Sequence, residues 1–282
     1  MTMPTPTGNP PKLDIPEFKE IVLYTGNVMR TSVAGQTKTL SKKSNAEIIN
    51  AIADTLHTSL HKPDRPSFRY YPEASLLEVP DLRLSSRIAP DDRDDVEVTA
   101  KLFYLDNLET LYQASYIESA VSHLQKLLGV QEIDTFILSF KNSPTSSLLK
   151  TAWKRLEQQR ESGRLIRLGV AEFSYEELDA ILSDPSITVK PVVNQINVDQ
   201  CCKMPSQLIE LAKRHNVELL HNGDCSDFLS SETFTDLLRQ NQVVDGTTTV
   251  APRFVLKYHV FVKCRSVVAD KGYIVVGDAS SA

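Results

Sequence analysis

Cysteine is scarce, with four residues in a chain of 282. Cys201 and Cys202 are adjacent, Cys225 and Cys264 stand alone, and no Cys-x-x-Cys or Cys/His spacing suggests zinc. So thin a supply excludes a disulfide scaffold, and the expectation is free thiols in a reducing, cytoplasmic setting. Long hydrophobic runs are missing as well. No stretch of about 18 apolar residues occurs, so no membrane span is expected. The opening MTMPTPTGNPPKLD has no apolar centre, which speaks against a secretory signal. Charge of one sign is also lacking. A net charge of −5 argues against nucleic acid or an anionic membrane as the main partner. No Gly-x-Gly-x-x-Gly follows a strand, no phosphate loop is present, and the many aspartates form no evident metal set.

What is present is apolar periodicity. Hydrophobic residues make up 41% of the chain, enough for a large core. Residues 1–19 carry five prolines before Glu17 and no periodicity, and read as a mobile tail. Ile21–Tyr24 reads as a buried strand. Ser44 and Glu47 have the spacing of a capping box for a helix ending near Leu60. Residues 61–95 are an irregular, proline-punctuated insertion, with one weak strand at Leu76–Val79 or Leu82–Leu84. Asp91–Asp95 reads there as a solvated loop.

From residue 96 strands and helices alternate. Strands are expected at 96–105, 133–140, 165–170, 192–198 and 217–220. Helices are expected at 115–128, 148–160, after Ser174, at 205–216 and at 230–240. A further helix is expected over 251–265, with Pro252 in its first turn, and a last strand over 272–276. This alternation favours an α/β fold, a (β/α)8 TIM barrel occupying residues 20–282 as one domain.

In such a barrel the chemistry sits at the C-terminal strand ends. Lys101 lies inside an apolar strand, where it either tunes a neighbour's proton affinity or reaches water at the rim. Ser139, Lys141 and Asn142 end the next strand and offer no obvious acid or base. Glu172 has no visible partner and reads as a solvated helix start. Asn194, Gln195 and Asn197 suit either a ligand or loop backbone. His221 and Cys225 lie on one loop without an assigned helix N-terminus to activate the thiol, which weakens nucleophilic catalysis. Cys201-Cys202 reads either as a redox or partner patch or as small buried filler.

These segments carry a resemblance. GRLIRLGVAEFS, PVVNQINV, IDTFILSF and VTAKLF resemble the aldo-keto reductase pattern over most of residues 96–265. That resemblance implies a catalytic lysine at Lys101 and a nicotinamide-holding glutamine at Gln195. It also implies departures. Ser139 stands where a histidine would be, Ala171 and Glu172 where serine and asparagine would touch the ring, and His221 where a tyrosine would stack. No Asp-Thr-Ala followed by tyrosine occurs in 61–95, and the C-terminal helix is reduced. Lys101 and Gln195 are then vestigial, and neither a cofactor nor a metal is expected.

Within this fold YTGN, AKLF, NQINVDQCCKMP, ELLHNGD and VKCRSVVADKGYI together resemble the glutamate–cysteine ligase regulatory (modifier) subunit family. That resemblance implies a non-catalytic barrel. Its partner would be the glutamate–cysteine ligase catalytic subunit, with neither nucleic acid nor membrane bound. It would improve glutamate use and relieve glutathione feedback. Candidate partner or redox contacts are Cys201, Cys202, Met204, His221, Asn222, Lys263 and Arg265. The competing expectation is a working NADPH-dependent reductase with a rearranged site.

Overall fold

The computed structural model describes residues 13–29, 45–61, 65–84, 87–105, 113–197, 204–224 and 228–281. Its organising element is a ten-stranded sheet. The strands are β1 Glu20–Tyr24, β2 Arg69–Tyr71, β3 Leu76–Val79, β4 Val96–Tyr104, β5 Ile133–Phe140, β6 Leu165–Ala171, β7 Val193–Asn197, β8 Glu218–Asn222, β9 Thr248–Val262 and β10 Val267–Ser281. The helices are α1 Ala46–Leu60, α2 Gln113–Leu128, α3 Ser146–Glu161, α4 Tyr175–Ser183, α5 Ser206–His215 and α6 Ser231–Gln240. The spatial order is β2-β3-β1-β10-β9-β4-β5-β6-β7-β8.

From β4 to β8 the chain is a series of βα units, and the strands pair in parallel. This is the TIM-barrel-like part, as expected. Short-range signals set its boundaries. Ser174 and Glu177 form a reciprocal capping box at the start of α4. Asn216, at φ 55°, ends α5 in the left-handed region that Asn tolerates.

The C-terminal third departs from expectation. Residues 251–265 are not a helix. They belong to the long β9–β10 hairpin, which lies between β1 and β4 and pairs antiparallel with both. Alternation explains it: Phe254, Leu256, Tyr258 and Val260 join one core, whereas Val255 joins the other. Pro252 is accommodated because the register shifts between Val276 and Gly277, which leaves Arg253 as a bulge. Arg253 then reaches Glu20 at 3.0 Å and also pairs with Asp278. No helix follows α6 among the described residues, so the reduced C-terminal helix is replaced by strand.

Other corrections are smaller. Leu82–Leu84 and Pro90–Asp95 are 3-10 turns, and β2, unforeseen, pairs with β3. Arg93 in that acidic turn is not merely solvated, since it pairs with Asp134 at 2.8 Å. Ser44 lies outside the described residues. Glu47 binds Lys271 at 2.6 Å and the Tyr273 hydroxyl, both on β10. Of the tail expected over 1–19, residues 13–19 are described and dock on the body. Phe18 is buried, and the Lys19 N–H donates to the Ser75 carbonyl at 2.8 Å.

The two faces of the sheet carry separate cores. One packs β4–β8 against α2–α5 and contains Trp153, Phe136 and Leu168. The other packs β3, β1, β10 and β9 against α1 and α6, through Ile48, Ile52, Phe234 and Leu238. Glu157, buried in α3, ties the loop before β7. Its carboxylate accepts from the Thr188 N–H at 2.7 Å, the Thr188 hydroxyl at 2.9 Å and the Val189 N–H at 2.7 Å. Glu157→Ala strands those donors and is expected to cost about 2 kcal/mol, read as a lower urea midpoint.

Candidate functional site

On the face of β4–β8 away from α2–α5, alternation places successive rows of side chains. Thr99, Lys101 and Phe103 lie on β4, Thr135, Ile137 and Ser139 on β5, and Arg167, Gly169 and Ala171 on β6. Val193, Gln195 and Asn197 follow on β7, and Glu218, Leu220 and Asn222 on β8. Gly169 permits close strand approach, because a Cβ there would stand 2.9 Å from the Val193 Cβ. α1 and α6 cover only the β3–β9 portion of this face. The remainder is a concave cavity of about 880 Å³, lined by Thr135, Gln195 and His259 among others.

Lys101 is 5% exposed, so it does not reach water at the rim. Its strand partner across β4 and β9 is Lys257. Like charges directly opposed repel, and Asp224 resolves the conflict. Asp224 Oδ2 lies 3.2 Å from Lys101 Nζ and Oδ1 lies 2.6 Å from Lys257 Nζ. Burial alone would raise the Asp224 carboxyl, but the two lysines outweigh it and hold it below its ordinary range. Burial lowers Lys101, and the attraction of Asp224 offsets only part of that.

Glu172 has partners that the sequence did not reveal. It sits at φ 63°. Its carboxylate accepts from the Asn197 N–H at 2.8 Å and from Asn222 Nδ2 at 3.2 Å. Asn222 Oδ1 accepts from the Asp224 N–H at 2.7 Å, and Asn197 Nδ2 donates to the Asp224 carbonyl at 2.6 Å. The ends of β6, β7 and β8 thus form one amide–carboxylate network tied to the two lysines. Lys257 and Asp224 were the members missed. Alternation in Val255–Phe261 was the signal that placed Lys257 on this face.

Of the expected site residues, Lys101 and Gln195 lie on this face. Gln195 is half-buried, and its Oε1 has no hydrogen-bond partner. His221, Asn222 and Lys263 line the same cavity. Lys263, Cys264 and Arg265 are not a helix end. They form the exposed turn of the β9–β10 hairpin, and Lys263 Nζ donates to the Asp94 carbonyl at 2.9 Å. Met204, half-buried, precedes α5 and does not line the cavity. Cys201, Cys202 and Cys225 lie outside the described residues. No metal-holding group of His, Cys, Asp and Glu occurs among the described residues, and no described helix is long and apolar enough to cross a membrane.

At the ends of β5–β7 a nicotinamide cofactor fits poorly. The cavity at the ends of β5–β7 measures about 240 Å³, below the roughly 300–1,000 Å³ of ordinary small-ligand pockets. Its lining holds Glu172, Glu177, Asp224 and Lys141. Lys101 and Lys257 already take up the charge of Asp224, which leaves two carboxylates facing one amine, an unfavourable field for a pyrophosphate.

The parallel βα series from β4 to β8 defines an α/β protein of the TIM-barrel-like kind. The profile of the aldo/keto reductase family matches residues 70–242, and the chain belongs to that family. It is 28% identical to the glutamate–cysteine ligase regulatory subunit of Homo sapiens, over 89% of this chain and 90% of that one. The Bos taurus glutamate–cysteine ligase regulatory subunit is 27% identical over 89% and 90%. The human aldo-keto reductase family 1 member C4 is 25% identical over 54% of this chain and 52% of its own. Among solved structures, a Bombyx mori aldo-keto reductase in complex with NADP aligns at 20% identity and TM-score 0.37, over 46% of this chain and 41% of that one.

Proposed function

We propose that this chain is a catalytically silent regulatory subunit that binds the glutamate–cysteine ligase catalytic subunit as a heterodimer in the cytoplasm. One observation carries the reading. Similarity to proteins named as regulatory subunits runs through 89% of the chain, whereas similarity to the named reductase stops at 54%. The closed amide–carboxylate network and the carboxylate-lined end pocket support it, because both leave a dinucleotide poorly served. Binding one conformation of the catalytic subunit better than another would favour glutamate over glutathione, by population shift. Vestigial Lys101 and Gln195 then serve the scaffold. Met204, His221, Asn222, Lys263 and Arg265, with Cys201 and Cys202, are the proposed contacts. A thiol among these contacts, or the exposed Cys264, would link assembly to redox state.

Mixing the purified chain with the catalytic subunit tests this. The expected result is co-elution and a several-fold lower glutamate requirement, with weaker inhibition by glutathione. Unchanged kinetics and separate elution would overturn the reading. NADPH titration is expected to show no micromolar binding. Clear binding with hydride transfer to an aldehyde would instead establish a reductase.

A further inference from the structure

Among the described residues β8 pairs with β7 alone, so β8 is an edge of the sheet. Its outward groups follow from the ladder. The Glu218 N–H donates to the Val192 carbonyl at 2.9 Å, so Glu218, Leu220 and Asn222 turn their backbone groups toward β7. Leu219 and His221 therefore direct both N–H and C=O away from the sheet. An unpaired strand edge is a template for another strand.

The cavity beside that edge provides a second, independent observation. Leu220 lines it and packs against a small buried apolar cluster of Ile137, Ala171 and Val193. Two polar atoms of residues lining it lack a partner, Thr135 Oγ1 and Gln195 Oε1. Thr135 is 2% exposed and lines the cavity. A buried hydroxyl without a partner costs stability, so its persistence points to an occupant that supplies a hydrogen bond. The two observations meet geometrically. A strand added to β8 would project alternate side chains on the face of Glu218, Leu220 and Asn222, all of which line this cavity.

We propose that the free edge of β8 receives an extended segment of the partner polypeptide, which extends the sheet and lays alternate side chains into the concave cavity. The backbone would supply the attachment. An apolar side chain suits Leu220, Phe261 and Val262, and a hydroxyl or amide beside it suits Thr135 and Gln195. The charged groups lining the cavity are equal in number, Arg167, Lys257 and Lys263 against Glu97, Glu218 and Asp224, with Arg167 on Glu218 at 2.6 Å and Lys257 on Asp224. The segment is therefore one of low net charge. This inference rests on the regulatory-subunit reading, with the catalytic subunit as the partner.

Residue-resolved amide hydrogen exchange tests it on the full chain, alone and mixed with the catalytic subunit. In the free chain the Leu219 and His221 amides are expected to exchange faster than those of Leu220 and Asn222. In the complex they are expected to slow by about tenfold or more. His221→Pro removes an outward N–H without touching the ladder to β7, and is expected to weaken the complex about tenfold. If the complex forms while both amides still exchange freely, the inference fails and the regulatory reading stands. If no complex forms, the reading itself fails and the inference falls with it. Protection that grows with the concentration of the chain alone would assign the edge to a second copy and overturn the partner assignment. Should His221→Pro not fold, the exchange measurement on the unaltered chain decides.

Discussion

Asp224→Ala is expected to lower the unfolding free energy by about 3–5 kcal/mol, because it leaves two buried cations facing each other. Lys101 and Lys257 are direct cross-strand partners, and their side chains are only 6% and 12% exposed. Removing the carboxylate exposes each to the other's repulsion and leaves neither hydrogen-bonded through it. The contrasting variant is Lys101→Met. It deletes a cation that burial already disfavours and leaves Asp224 paired with Lys257 at 2.6 Å. Its cost is expected to stay within about 1 kcal/mol. The double variant Asp224→Ala/Lys101→Met should recover a large part of the single loss, because it relieves the opposed charges. Urea unfolding of the three variants checks the set. Equal losses for Asp224→Ala and Lys101→Met would show that the cluster is not governed by this charge balance. Asp224 also holds Asn197 and Asn222, but through its backbone carbonyl and N–H, so Asp224→Ala keeps those two bonds and its loss is confined to the charge cluster.

Local signals made much of this fold legible. Ile133–Phe140 and the capped α4 were readable because a few adjacent residues determine each: alternation, Ser174 with Glu177, and Pro185 as a stop. β9 was misread because Pro252 resembles a helix first turn and a strand of 15 residues is unusually long. The alternation through Phe254–Phe261 pointed the other way, and the bulge at Arg253 removes the objection to proline. β2 escaped notice because three residues carry little pattern of their own and depend on pairing with β3. In the site, the anomaly of Lys101 in an apolar strand was visible, but its resolution was not. The carboxylate that satisfies it lies 123 positions away, past a different strand. Glu172 looked solitary for the same reason, since its partners Asn197 and Asn222 arrive only through the parallel alignment of β6, β7 and β8.

Acidification from pH 7 to pH 5 is expected to cost about 3–4 kcal/mol of stability, through two histidines folded in the neutral form. Burial is the main cause at both, and each is lowered to about 4 from an ordinary 6.5. His123 also feels Lys126 and Arg253, and its Nδ1 is hydrogen-bonded to the Tyr24 hydroxyl at 2.7 Å. His259 stacks on Phe261 and feels Lys257 and Lys271, while Asp224 and Glu47 pull weakly the other way. The sign is fixed by proton counting. Below pH 6.5 the unfolded chain takes up protons that the folded chain refuses, so stability falls until the pH approaches 4. The depressed carboxyl of Asp224 acts in a different window. Its stabilisation is complete above the ordinary carboxylate range and fades only as pH drops below about 4. The two contributions are therefore separable in a urea series at pH 7, 6, 5 and 4. His123→Gln and His259→Gln should each remove roughly half of the loss between pH 7 and pH 5 and leave the steeper acid limb in place. A midpoint that stays level from pH 7 to pH 5 would mean that neither imidazole is held neutral by the fold.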